Sequence, residues 1–229
     1  MKQILLFSCL FIILSCQQKD NNAIDKPNLK PIQNQTLPTL PKEMELFGQK
    51  INLEDEDLME RLDREILMNT YAQSATNLYI KRANRFFGPI EKILKKEQVS
   101  DDFKYLAVAE SGLANVQSPV GASGFWQFMP ATAKEYGLVI NDEIDQRLDL
   151  EKSTHAASQY LKNVNQVFNN WIMTAAAFNR GMGGVRSDMN RQYTTHYFDS
   201  EMNNETARYV FRIMALKIIM ENPKAYGYY

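Results

Sequence analysis

Apolar residues recur three and four positions apart along most of this chain, and that spacing predicts helices. Leu58, Leu62 and Ile66 mark one helix, with the acidic run Glu54 to Asp57 near its start, where negative charge suits the helix dipole. Tyr71 to Phe87 reads as a second helix, broken near Gly88-Pro89, because proline lacks an amide hydrogen and its ring crowds the preceding turn. Ile90 to Lys96 is a short amphipathic piece, and Phe103 to Glu110 is an apolar helix that stops at Gly112. Asp149 is placed to cap a helix with Ala157, Tyr160, Leu161, Val164 and Phe168 on one face. Trp171 to Phe178 is a compact alanine-rich helix ended by Gly181, Gly183 and Gly184. The last helix shows Tyr209, Ile213, Leu216 and Met220 and stops before Pro223. No run alternates strictly between apolar and polar, so the expected fold class is mostly α with little β-structure.

The N-terminus has a different pattern. Lys2 precedes an eleven-residue apolar run, Ile4 to Leu14, interrupted only by Ser8. That fits the core of a signal peptide and is too short for a spanning helix. The run ends in Ile13-Leu14-Ser15-Cys16, which resembles a bacterial lipobox. The resemblance implies cleavage after residue 15 and lipidation of Cys16, and more than one acyl chain holds a protein on a membrane stably. Gln17 after the lipidated cysteine is not the aspartate that retains many lipoproteins in the inner membrane, so an outer-membrane anchor facing the periplasm is expected. From Gln17 to Pro41 the chain carries four prolines and no aromatic residue, a composition that cannot bury a core. It reads as a tether, reaching about 27 Å as a flexible coil and about 75 Å fully extended. The expected organisation is a signal peptide at 1–15, lipidated Cys16 and linker at 16–42, a helical segment at 43–98 packed on the catalytic part, and the catalytic domain at 99–229.

Composition narrows the function. With 229 residues, 45% hydrophobic and 23% charged, the chain is long and apolar enough for one globular domain. Its net charge of −1 lacks the basic excess expected of a nucleic-acid binder. Both cysteines, Cys9 and Cys16, lie in the first sixteen residues, which excludes a disulfide framework or a Cys-ligated metal in the folded part. His155 and His196 are far apart with no partner spacing, so no metal and no cofactor are expected, and a monomer is expected.

The stretch Glu110 to Pro130 (ESGLANVQSPVGASGFWQFMP) carries the candidate chemistry. Glu110 follows Leu106-Ala107-Val108-Ala109, and an apolar neighbourhood disfavours an ionised carboxyl. If its helix ends near Gly112, Glu110 also sits at the negative end of the helix dipole. Both effects raise its pKa, and a carboxyl poised near neutrality can donate a proton and later accept one. Ser118, Ser123 and Gln127 add hydroxyl and amide groups within a few residues. Phe125, Trp126 and Phe128 can offer flat apolar surface for sugar rings or belong to the core, and for Phe128 the core reading is favoured. Seven of the ten glycines lie between Gly112 and Gly184, where close approach of the backbone to a ligand is easiest.

These motifs, taken in order, resemble the bacterial lytic transglycosylases, in particular the soluble-lytic-transglycosylase domain and its murein transglycosylase D branch. The resemblance rests on Glu110-Ser111, Ser118 to Gly124, Gln127-Phe128-Met129-Pro130, Ala177-Phe178-Asn179 and Glu205-Thr206-Ala207-Arg208-Tyr209-Val210, and covers about Lys104 to Leu216. It implies a lysozyme-like helical fold that cleaves the β-1,4 bond between N-acetylmuramic acid and N-acetylglucosamine in peptidoglycan glycan strands and leaves 1,6-anhydro ends. It implies that Glu110 is the catalytic acid and base, and that Ser111, Ser118, Gln127, Met129, Asn179, Glu205 and Tyr209 bind substrate.

Residues 111–134 contain no Asp or Glu, which is consistent with a one-carboxylate mechanism whose nucleophile is internal, although a distant acid such as Glu205 can fold into the site. Two positions depart from the family pattern. Phe178 stands where a tyrosine is usual, and Asn203-Asn204 replaces the usual Leu-Pro before the last motif. A muramidase that hydrolyses the same bond and a non-catalytic peptidoglycan-binding lipoprotein stay open as alternatives.

Overall fold

In the computed structural model, which describes residues 38–229, the chain begins with a β-hairpin that the sequence pattern did not announce. Strands β1 (Glu43–Leu46) and β2 (Gln49–Asn52) pair antiparallel, Leu46 opposite Gln49. Phe47 and Gly48 turn the chain with φ of 54° and 76°, the doubly left-handed geometry of a two-residue hairpin loop. A phenylalanine rarely adopts that conformation. Here its ring stacks on Phe103 at 4.1 Å and its amide donates to Asp102 Oδ2 at 2.8 Å. Four-residue strands without an Asn-Gly turn leave little signal, so the segment expected to be helical from residue 43 starts with this hairpin instead.

Helix α1 (Glu56–Tyr71) is capped by Asp55, whose carboxylate accepts from the Leu58 amide, and buries Leu62 and Ile66. Helix α2 (Gln73–Lys96) runs through Pro89 without a break, contrary to the expected interruption near Gly88-Pro89. Gly88, Pro89 and Arg85 are exposed while Ile90, Ile93 and Leu94 are buried. The amide that proline lacks therefore falls on the solvent side, where water can satisfy the Arg85 carbonyl, and packing of the inner face keeps the helix continuous. The boundary between the first two helices lies instead at Ala72.

Helix α3 (Phe103–Ser111) is the structural centre, with Phe103, Tyr105, Leu106, Ala107 and Val108 all buried. It packs against α8 (Asn204–Glu221) and α2, while α5 (Leu150–Phe168) packs on α2 and α6 (Trp171–Arg180), α6 packs on α8, and the short α4 (Pro130–Glu135) follows the loop. Asp149 caps α5 through the Lys152 amide at 2.9 Å, as its position predicts. Helix α7 (Met182–Gln192) was not expected. Gly183 and Gly184 read as punctuation, yet both lie inside a helix that packs against α6.

The unusual start of the last helix has a local explanation. Asn203 caps α8 by accepting from the Thr206 amide at 2.8 Å, so an asparagine supplies the stop that Leu-Pro supplies elsewhere. Residues 38–229 belong to one compact unit. Among them no helix is long and apolar enough to cross a membrane, and no group of three or more His, Cys, Asp or Glu is arranged to hold a metal. The expected signal peptide, Cys16 and most of the linker lie outside the described residues.

Candidate active site

Glu110 occupies the last turn of α3, whose apolar sides bury the helix up to the residue that carries the carboxyl. The helix ends because Gly112 takes the left-handed conformation (φ 59°) and its amide bonds back to the Val108 carbonyl at 2.8 Å. Burial raises the Glu110 pKa from its ordinary value to about 7. Three weaker influences act on it. The Tyr209 hydroxyl, from α8, donates to Glu110 Oε1 and lowers the pKa, as does the charge of Arg212, whereas the charge of Glu205 raises it. The helix-end position and the burial expected from Leu106 to Ala109 are thus present, and burial outweighs both stabilising contacts.

The loop beyond Gly112 is built as a rigid wall. The Ser118 amide donates to the Ala122 carbonyl at 2.8 Å, and Ser118 Oγ accepts from the Ala122 amide at 3.0 Å. Ser123 and Phe128 close the next turn through mutual backbone bonds. Arg147, 4% exposed, fastens both turns: Nη1 donates to the carbonyls of Gly121 (2.7 Å) and Phe128 (3.0 Å) while Asp145 pairs with the other side of its guanidinium. Gly124 lies so close to this strut that a Cβ there would sit 1.9 Å from the Arg147 carbonyl oxygen. Sequence reading missed Arg147 because its partners are backbone carbonyls distant in sequence.

The hydroxyl of Ser111 donates to the Phe125 carbonyl at 2.8 Å, which ties the end of α3 to the loop. Gln127, in a left-handed conformation (φ 49°), spans the loop with Nε2 donating to Val116 and Gly124 carbonyls, which leaves its oxygen available. Met129 is 43% exposed. The aromatics do not form the sugar platform that the sequence allowed. Phe125 and Trp126 are buried, and the Trp126 indole donates to Thr154 on α5 at 3.0 Å, so they anchor the loop from beneath. Phe128 is buried as expected and packs near Tyr160 and Phe178. Phe178 itself is half-buried among Trp126, Phe128 and Tyr160, an apolar setting in which a ring without a hydroxyl leaves no polar atom stranded.

The opposite wall comes from α6 and α8. Asn179 Nδ2 donates to Glu205 at 3.0 Å, and Asn179 Oδ1 accepts from Thr206 at 2.8 Å. These bonds fix the amide orientation and bring three sequence-predicted residues, Asn179, Glu205 and Tyr209, to one side of Glu110. Glu205 is the distant acid that the sequence left open, and it lies near enough for its charge to act on Glu110. Between Gln127, Met129, Phe178 and Asn179 lies a hollow of about 250 Å³, also lined by Thr132, Tyr160 and Arg180, which sequence reading did not single out. Ser118 stands apart from that hollow, in the turn beyond it.

A mostly helical, lysozyme-like domain with one buried acid at the end of α3 is the class this architecture defines. Residues 89–200 match the Transglycosylase SLT domain. The chain is 31% identical over 152 residues to membrane-bound lytic murein transglycosylase D of Escherichia coli K12, covering 64% of this chain and 34% of that protein. Over 109 residues it is 37% identical to the soluble lytic murein transglycosylase of the same organism, covering 44% of this chain and 17% of that one. The crystal structure of the 70 kDa soluble lytic transglycosylase from Escherichia coli superposes with a TM-score of 0.53 at 27% identity, over 64% of this chain and 26% of that one. The chain thus spans about a third of the length of the first of these relatives.

Proposed function

We propose that the protein is a lytic transglycosylase that cleaves the β-1,4 bond between N-acetylmuramic acid and N-acetylglucosamine in peptidoglycan and leaves 1,6-anhydromuramic ends. The observation that carries this is Glu110, a carboxyl raised to about 7 by burial at the end of α3 and held by the Tyr209 hydroxyl. In the first half of the reaction the Glu110 proton passes to the glycosidic oxygen and the muramyl C1–O bond breaks. In the second half the C6 hydroxyl of the same sugar attacks C1, its proton returns to Glu110, and the 1,6-anhydro ring closes. One group serves both steps, because a carboxyl with a pKa near neutrality is competent as acid and then as base. Gln127, Met129 and Asn179 line the path of the glycan, Ser118 extends it, and Tyr209, 2% exposed, acts on the reaction through its bond to Glu110. Glu205 orients Asn179, and Ser111 holds the end of α3 in place. Cys16 carries the lipid, and the outer membrane presents the enzyme to the wall from the periplasmic side as a monomer.

Glu205 favours one competing reading. A second carboxylate near Glu110 is what a hydrolase uses to activate water. Its bond to Asn179 occupies one of its oxygens, which supports an orienting role instead. The test of the Glu110 assignment is Glu110→Gln. It should lower turnover of peptidoglycan by about a thousandfold or more, while sedimentation with insoluble peptidoglycan and the circular dichroism spectrum stay as in the wild type. Turnover within a few-fold of the wild type would remove Glu110 from the mechanism.

A further inference from the structure

Arg180 ends α6 next to Asn179 and is the one charged side chain lining the 250 Å³ hollow among the described residues. Its neighbours there include Phe178, Tyr160 and Met129, so the guanidinium faces a largely uncharged wall. The side chain is held from behind. Asp188 on α7, 2% exposed at its side chain, accepts from Arg180 Nε at 2.5 Å and more weakly from Nη2 at 3.4 Å. Arg191 donates to the same carboxylate at 2.8 Å, so two guanidinium groups share one negative charge and the trio keeps a net charge of +1. Gly184 makes room for this arrangement: a Cβ there would lie 2.8 Å from Arg180 Cγ. Arg180 Nη1 has no protein hydrogen-bond partner among the described residues.

A fixed guanidinium with spare donors and uncompensated charge, beside apolar walls, suits a carboxylate. Resting on the transglycosylase reading above, we infer that Arg180 binds a carboxylate of the glycan strand and so determines which strands the cleft accepts. N-acetylglucosamine carries no such group. On a muramyl residue the carboxylate is either the lactyl group of a bare strand or an acid of the attached peptide.

The test compares initial rates of wild type, Arg180→Gln and Arg180→Lys on peptide-bearing strands, on strands stripped by an amidase so that only lactyl carboxylates remain, and on both after conversion of carboxylates to amides. Arg180→Gln should lower kcat/KM about tenfold to a hundredfold on acid-bearing strands, mainly through KM, with Arg180→Lys in between. On amidated strands the wild type should fall to the level of Arg180→Gln. A deficit confined to peptide-bearing strands places the carboxylate on the peptide, a deficit confined to stripped strands places it on the lactyl group, which the peptide otherwise holds as an amide, and a deficit on both means that Arg180 accepts either acid. An unchanged ratio of wild type to Arg180→Gln after amidation overturns the inference and leaves Arg180 as a tie between α6 and α7. The preference of the wild type for untreated over amidated strands gives the same answer should the glutamine variant unfold. Strand binding by Glu110→Gln, alone and combined with Arg180→Gln, reads the contact without turnover. A wild type that cleaves no strand therefore fails the transglycosylase reading separately.

Discussion

Tyr209 and burial pull Glu110 in opposite directions. Burial favours the neutral acid, and the hydroxyl favours the carboxylate, with burial ahead. Because bond cleavage starts from protonated Glu110, activity is present below its pKa and lost as pH rises through about 7. Removing a contact that lowers the pKa must move that alkaline limb upward. Tyr209→Phe is therefore expected to shift the limb of kcat/KM to higher pH, and Glu205→Gln, which removes a neighbouring negative charge, to shift it lower. A pH–rate profile checks both, and shifts in the reverse directions would mean that the limb does not report Glu110. At this scale much was legible in the sequence. Leu106 to Ala109 announced the burial, and Gly112 announced the helix end. Phe125 and Trp126 stayed open because composition does not say whether an aromatic ring faces a sugar or the core. Arg147, Arg180 and Arg212 were missed because what gives them a role is spatial proximity alone.

Helices α1 and α8 show how elements outside the matched domain reach the site. Glu65 on α1, 2% exposed, pairs with Arg208 Nε at 2.6 Å and lies 4.0 Å from Arg212, the same Arg212 whose charge acts on Glu110. Arg61 adds a donor to the Ala207 carbonyl at 3.1 Å and lies over the Phe211 ring. Replacing Glu65 by Ala leaves two half-exposed guanidinium groups without their partner, so the expected loss is about 1–3 kcal/mol, smaller than for a fully enclosed pair because both arginines can recover water. Urea unfolding measures it, and a loss within experimental error would show that the contact adds nothing to the packing of α1 on α8. Periodicity located most helices because their buried faces are strongly apolar. It failed where packing overrides local preference: Pro89 on the outer face of α2, the glycines within α7, and the Phe47-Gly48 turn held by Asp102 and Phe103.

The whole described chain is arranged around α3, with the loop wall on one side of Glu110 and α6 and α8 on the other. The hollow is lined by Met129 and Gln127 from the loop and by Asn179 from α6. The motifs fall on α3, the loop after it, α6 and α8, and of their residues Gln127, Met129 and Asn179 share one hollow while Ser118 stands apart from it. The sequence left open whether Glu205 folds into the site, and its charge does act on Glu110, so the one-carboxylate pattern of residues 111–134 does not by itself decide between an internal nucleophile and water. Mass spectrometry of muropeptides released from purified peptidoglycan decides it. The wild type should yield products one water lighter than their hydrolytic counterparts, ending in 1,6-anhydromuramic acid, and Glu110→Gln should yield none. Products with free reducing ends alone would contradict the internal attack by the C6 hydroxyl and make the protein a muramidase.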